Sequence, residues 1–384
     1  MSVNVPEDPR QPASPPSPDP PATPPAGRDP TPRHTVSQFP AEARDALGRG
    51  LERMTGDIGA PSITFGQLFS EVFSRHTAHD AESLLLSGTY ARSIGTPPGR
   101  KPWLFSRLWL VLAVAFALML ACCALFPHTS DNVVPGMIFF GAMTMPVAIM
   151  VFFWEINDPR NINLFQIIRV FFIGGAISIL LTFLLDAVLS SARNVSALVG
   201  WSLASAALTS VTEEIAKVVA VYFFVRRLPY PWIMNGLLVG AVVGCGFAGF
   251  ETMGYALQGS GDLRAMVGIL INRGVLAVGG HAIWTPIAGA ALMRAIQTRR
   301  GRGLTGQDYR AFASGRFWAL FAVPLVLHLV WDFFCAVLTT PIVRWFALVG
   351  LCVVGWVFVV RLINSGLKEF RIAQTSNGFG SPAP

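Results

Sequence analysis

Ser210 to Val219 reads SVTEEIAKVV, two adjacent glutamates and a lysine inside an otherwise apolar run. At the centre of a membrane helix each ionised side chain costs about 2.5–3.5 kcal/mol on insertion scales. Whether the run crosses a bilayer is decided by what surrounds it. Of the 384 residues, 52% are hydrophobic and only 13% are charged, and the mean hydropathy is +0.51, well outside the balance of soluble domains. Apolar runs of roughly 20 residues, long enough to cross a hydrocarbon core of about 30 Å, recur from Arg107 onward. There are eight, at 107–126, 134–153, 165–189, 198–225, 232–257, 267–293, 317–338 and 341–363. The fold class is therefore all-α, a polytopic membrane protein with about eight transmembrane helices.

The formal charge of +7 resides in loops between the spans. With no basic face interleaved with aromatics, it points to topology and not to nucleic acid. Arg100 and Lys101, Arg226 and Arg227, and Arg299, Arg300 and Arg302 fall in alternate loops, which puts both termini in the cytoplasm by the positive-inside rule. Cys122, Cys123, Cys245, Cys335 and Cys352 lie in apolar stretches without CxxC spacing, so they read as packing residues. Residues 1–35 are proline-rich with almost nothing to bury and are expected to be a disordered tail without a signal peptide. Residues 36–105 read as a cytoplasmic arm of short amphipathic helices. There His76 and His79 belong to a solvated face and not to a metal site. Residues 106–364 form the transmembrane domain, and 365–384 a cytoplasmic tail.

Polar intruders are not confined to one span. The fourth holds Glu213, Glu214 and Lys217, the fifth Glu251, the sixth His281, and the seventh His328 and Asp332. Isolated from one another, these seven groups would cost roughly 10 kcal/mol even at half the insertion figure, comparable to a whole domain's stability. They are expected to converge in the bundle interior. Spacing agrees: Glu213 and Glu214 precede Lys217 by four and three residues, and His328 precedes Asp332 by four, each a same-face separation on a helix. The glycines of GLLVGAVVGCGFAGFETMG, residues 236–254, allow close helix approach. Pro286 predicts a kink just after His281. Glu251 counts out only one turn from Tyr255, so the fifth span is expected to be tilted or broken.

Two histidines and a carboxylate make a sufficient ligand set for a divalent metal, zinc by type, with a position left for water. A further glutamate off the metal would take the proton of that water during attack on a carbonyl. On this reading His281, His328 and Glu251 are ligands, Asp332 is a fourth ligand or supports one, and Glu213 is the base with Glu214 as its partner and Lys217 beside them. A metal-free version, in which the glutamates and histidines position water themselves, uses the same residues.

At EEIAK (213–217), FAGFE (247–251), GGHAIWT (279–285) and HLVWD (328–332) the sequence resembles the PrsW-type intramembrane proteases, relatives of the CAAX prenyl endopeptidases and bacteriocin-processing membrane enzymes. FFWEINDPRNINLF, residues 152–165, is similar to an acidic, proline-containing loop of that family, and the resemblance runs over roughly 107–340. It implies a peptidase of the bacterial plasma membrane engaged in regulated intramembrane proteolysis, in which Glu213 and Glu214 act on water and Glu251, His281 and His328 complete the site. The implied substrate is a membrane protein, for instance an anti-sigma factor. The alternative is a proton- or ion-coupled transporter using the same buried carboxylates and histidines.

Overall fold

The computed structural model describes residues 41–57, 63–77, 80, 101–126, 132–190, 201–228, 232–259, 261–304, 306 and 308–376. Contacts divide the chain into residues 1–45 and 46–384, and the candidate site lies wholly in the second. The expected tail 1–35, His79 and residues 81–100 fall outside the described residues.

The chain is all-helical, with no strand among the described residues. Two short elements come first, α1 (Ala41–Thr55) and α2 (Phe65–Leu68). Thr64 and Gln67 close a capping box at the start of α2, satisfying amides the first turn leaves free. Phe69 then stacks on Phe152, with ring centroids 5.6 Å apart. Asn364 brackets Ile63, accepting from its N–H and donating to its carbonyl, both at 3.1 Å. His76 lies flat on Trp103 at 4.0 Å, a packing role.

The bundle follows as α3 (Leu104–Leu125), α4 (Val134–Glu155), α5 (Leu164–Arg169), a π-helical turn (Val170–Gly174), α6 (Gly175–Ser190), α7 (Trp201–Val225) and α8 (Ile233–Gln258). After these come α9 (Leu263–Leu276), α10 (His281–Arg300), a 3₁₀ turn (Asp308–Ala313), α11 (Gly315–Val337) and α12 (Pro341–Ser376). Among the described residues seven segments are long and apolar enough to cross a membrane, including α5 to α6 and α9 to α10, each taken as one. The expected eighth, at 198–225, is α7. It forms a helix of 25 residues, but Glu213, Glu214 and Lys217 keep it out of the apolar class. At the other end, α12 continues to Ser376, through the boundary expected at 364.

Of the two alternatives expected for the fifth span, tilted or broken, the break is excluded, and the interruption expected just after His281 lies elsewhere. The fifth span is not broken: α8 is continuous, and every residue from Ile233 to Gly249 is buried. The interruption lies in the sixth span and precedes His281, where the chain leaves α9 at Leu276 and restarts a helix at His281 itself. Gly279 and Gly280 occupy the gap. Gly279 abuts Cys352 so closely that any side chain would overlap it. The Val278 carbonyl, freed by the break, accepts from Trp356 Nε1 at 2.9 Å. Pro286 sits inside α10 without ending it.

α8 is the central post, packed on α4, α6, α7, α9, α10 and α12. Its tightest seam is with α10, where Gly236, Gly240 and Gly244 meet Gly289, Thr285 and His281 in turn, backbone against backbone. A methyl on Gly240 would come within 2.8 Å of Pro286 Cα. Small residues at four-residue spacing permit this approach, and here they fix the height of His281 on the bundle.

Glu155, at the C-terminus of α4, caps α3 across the loop. Its carboxylate accepts from the amides of Trp103, Leu104 and Phe105 at 2.8–2.9 Å, replacing the side-chain cap that Trp103 cannot supply. Glu155→Ala is expected to cost about 2 kcal/mol, at the upper end for a lost cap because the orphaned amides are partly buried. Unfolding in mixed micelles measures it.

Candidate active site

All seven ionisable groups come together. Reading across the helices, Asp332 Oδ2 lies 3.4 Å from His328 Nε2, and His328 Nδ1 lies 2.9 Å from Glu214 Oε1. The same oxygen is 2.7 Å from Lys217 Nζ, which is 2.8 Å from His281 Nδ1. His281 Nε2 is in turn 3.1 Å from Glu251 Oε2. One further residue closes the chain: Arg273 Nη2 donates to Glu251 Oε2 at 2.5 Å. Mutual satisfaction of this kind is what makes buried charges tolerable.

The two glutamates of EEIAK face differently. Glu214 is fully buried, held through Oε1 by Lys217 and His328, and its Oε2 has no partner. Glu213, one residue and about 100° around the helix, lines a cavity. Its Oε2 is 3.3 Å from Lys217 Nζ, 3.9 Å from His281 Nδ1 and 3.8 Å from His328 Nε2.

Each imidazole is oriented by a carboxylate on its far nitrogen, Glu214 for His328 and Glu251 for His281. A proton on that nitrogen leaves a lone pair on the other, and in both rings the other nitrogen is the one nearer Glu213. Carboxylate–histidine pairs of this kind are the usual support of a metal-bound imidazole. Glu213, His281 and His328 offer donor atoms within 4.8 Å of one another and could hold a metal ion. Tetrahedral ligands at about 2.0–2.1 Å from zinc lie about 3.3 Å apart, so the donor set, whose atoms lie within 4.8 Å of one another, would draw closer to hold the ion. The ammonium of Lys217 is the competing neighbour at His281 Nδ1.

The sequence reading put Glu251 and Asp332 among the ligands and made Glu213 the base. In the structure Glu251 is engaged by Arg273 and His281, and Asp332, with a side chain 30% exposed, touches His328 at the cavity wall. Glu213 occupies the point between the imidazoles. Trp284 packs beneath both, its ring stacked on His328 at 4.6 Å and edge-on to His281 at 5.1 Å.

The cavity measures about 630 Å³. Around the catalytic candidates it is lined by Thr209 of α7, Thr252 and Tyr255 of α8, Asn272 and Arg273 of α9, and Trp331 of α11. Arg273 is the residue sequence reasoning missed. It binds Glu251, donates from Nε to Thr252 Oγ1 at 3.0 Å and covers the Tyr255 ring at 4.4 Å. The signal was available, since a lone arginine in an apolar run is as costly as the glutamates that drew attention.

The family model for the PrsW family of intramembrane metalloproteases matches residues 164–363, just over half of the chain. The match includes every residue of the cluster but starts at the end of the 152–165 stretch, later than the resemblance suggested. No curated protein and no solved structure matches the chain.

Proposed function

The chain belongs to the PrsW family of intramembrane metalloproteases, and from that premise we propose an endopeptidase that cuts a membrane protein with water activated at Glu213. The observation that carries this reading is the place of Glu213 Oε2, on the cavity wall and within 3.9 Å of a ring nitrogen of both histidines. Glu214, sealed from the cavity, is a positioning residue: it holds His328 through Nδ1 and Lys217 through Nζ. Glu251, itself held by Arg273, does the same for His281.

The residues that would hold a divalent metal, zinc by donor type, are His281 and His328 with a carboxylate from Asp332, which leaves Glu213 off the metal as the base. Bound there, the metal would polarise the scissile carbonyl and the attacking water. The proton steps belong to the protein. Glu213 takes the proton of water as the C–O bond forms, and returns it to the amide nitrogen as the C–N bond breaks. The bond attacked must first leave its helix, because a helical amide in hydrocarbon is shielded and hydrogen-bonded. Thr252, Tyr255 and Asn272 offer the unwound backbone replacement partners at the cavity wall.

The substrate class is therefore a single-pass membrane protein or a juxtamembrane segment. The anti-sigma factor implied by family resemblance is one such protein, and nothing in the cavity selects it. The arginine distribution favours both termini in the cytoplasm, and the bacterial plasma membrane is what the family resemblance implies. The transporter alternative gains nothing from the family match.

The test is cleavage of single-span peptides by full-length protein in vesicles, together with metal content of the purified chain. Wild type should cut and His328→Ala should not. His281→Ala is expected to lose bound zinc as well as activity. A wild-type protein that moves protons or solute without cutting any peptide would overturn the reading.

A further inference from the structure

A second cavity lies away from the active site, at the ends of α5 and α7. It measures about 290 Å³. Its floor is apolar, with Val170 and Ile173 from the π-helical turn, Ile177 from α6, Phe223 and Phe224 from α7, and Val239 from α8. Three guanidinium groups, Arg169, Arg226 and Arg227, share its lining with Gln166. Among the described residues none of the three is in an ion pair. Arg226 lies 5.0 Å from the Phe223 ring.

The cleft is built and not merely a gap between helices. Arg300 of α10, anchored to Asp308 at 2.6 Å, donates to the carbonyl of Leu228 at 3.0 Å and so fixes the turn that carries Arg226 and Arg227. On the facing side the π-helical turn, a wider coil than the α-helix and frequent at functional sites, supplies Val170 and Ile173. Cationic groups with no ion pair among the described residues, sharing one cleft with an apolar wall, are complementary to one amphiphile, a phosphate carrying a hydrocarbon chain. The volume accommodates the phosphate and the upper part of one chain.

We propose that this cleft is a binding site for an anionic phospholipid, with Arg169, Arg226 and Arg227 on the headgroup phosphate and Phe224, Ile173 and Ile177 against an acyl chain. Arginine matches phosphate oxygens in a planar fork, and basic groups at a membrane surface each strengthen binding of anionic lipid about fivefold. The site is independent of the peptidase reading.

Native mass spectrometry of the full chain in detergent, titrated with phosphatidylglycerol, phosphatidylcholine or inorganic phosphate, tests it. Wild type should retain phosphatidylglycerol in preference to phosphatidylcholine. R169Q/R226Q/R227Q should weaken that binding on the order of 100-fold, whereas R302Q/R310Q/R316Q, with the same charge removed elsewhere, should bind as wild type. Equal loss in both triple variants would reduce the effect to general charge and overturn the site. So would inorganic phosphate binding as tightly as the lipid, which would point to a free anion. Should the first triple variant fail to fold, R227Q alone is read instead, with a fivefold loss expected and an unchanged affinity overturning the proposal.

Discussion

Glu213→Gln is expected to lower the rate of peptide cleavage by a factor on the order of 10²–10⁴, the usual worth of a positioned proton acceptor. The substitution keeps shape and removes the charge. The fold should hold, because Lys217 retains its shorter contact to Glu214, at 2.7 Å against 3.3 Å to Glu213. The loss should appear in kcat with KM nearly unchanged, since the residue acts on water and not on substrate binding. Single-turnover cleavage in vesicles measures it. A variant retaining activity within tenfold of wild type would remove Glu213 from the reaction centre and turn attention to Asp332, the other cavity carboxylate beside His328 Nε2.

The largest stability effect is expected at Lys217. Its side chain is fully buried, bonded to Glu214 and to His281 and placed 4.4 Å over the Phe247 ring. Lys217→Met preserves the volume but leaves Glu214, also fully buried, as a carboxylate with only His328 for company. Breaking a buried pair from one side costs about 3–5 kcal/mol. Adding Glu214→Gln should restore much of that stability, because no uncompensated charge remains, yet should not restore cleavage, because the anchor of His328 is weakened. Unfolding in mixed micelles gives the first quantity and peptide cleavage the second. If the single variant is as stable as the double, the ammonium is not what neutralises Glu214.

The same reasoning explains which parts of the molecule were legible in the sequence. An ionisable residue in an apolar run has few places to go, so Glu213, Glu214, Lys217, Glu251, His281, His328 and Asp332 announced their own convergence. The break before His281 was less legible because hydropathy continues across it. The helical segment Leu263–Arg300 has 38 residues, about 57 Å as one helix and nearly twice the hydrocarbon thickness. That excess length was the sign that two helices were present. Glu251 appeared too shallow because it was counted from Tyr255 as an interfacial residue, whereas Tyr255 lines the cavity with it. Once His281 opens α10, Glu251 and His281 meet without bending α8. Which face of each imidazole points at Glu213 depends on Glu251 and Glu214 holding the far sides, a three-dimensional property that spacing along one helix does not carry.

The glycine seam between α8 and α10 also decides which parts of the buried cluster are held rigidly together. Those two helices touch backbone to backbone at Gly236, Gly240 and Gly244, so they behave as one stiff jaw that carries Glu251 and His281 together. Separating them would open a gap too thin for side chains and too dry for water. Against this pair pack α9, only 14 residues long and joined to α10 through residues 277–280, and α11. The spacing of Glu251 and His281 is therefore set by backbone contact along the seam and not by the side chains that surround them.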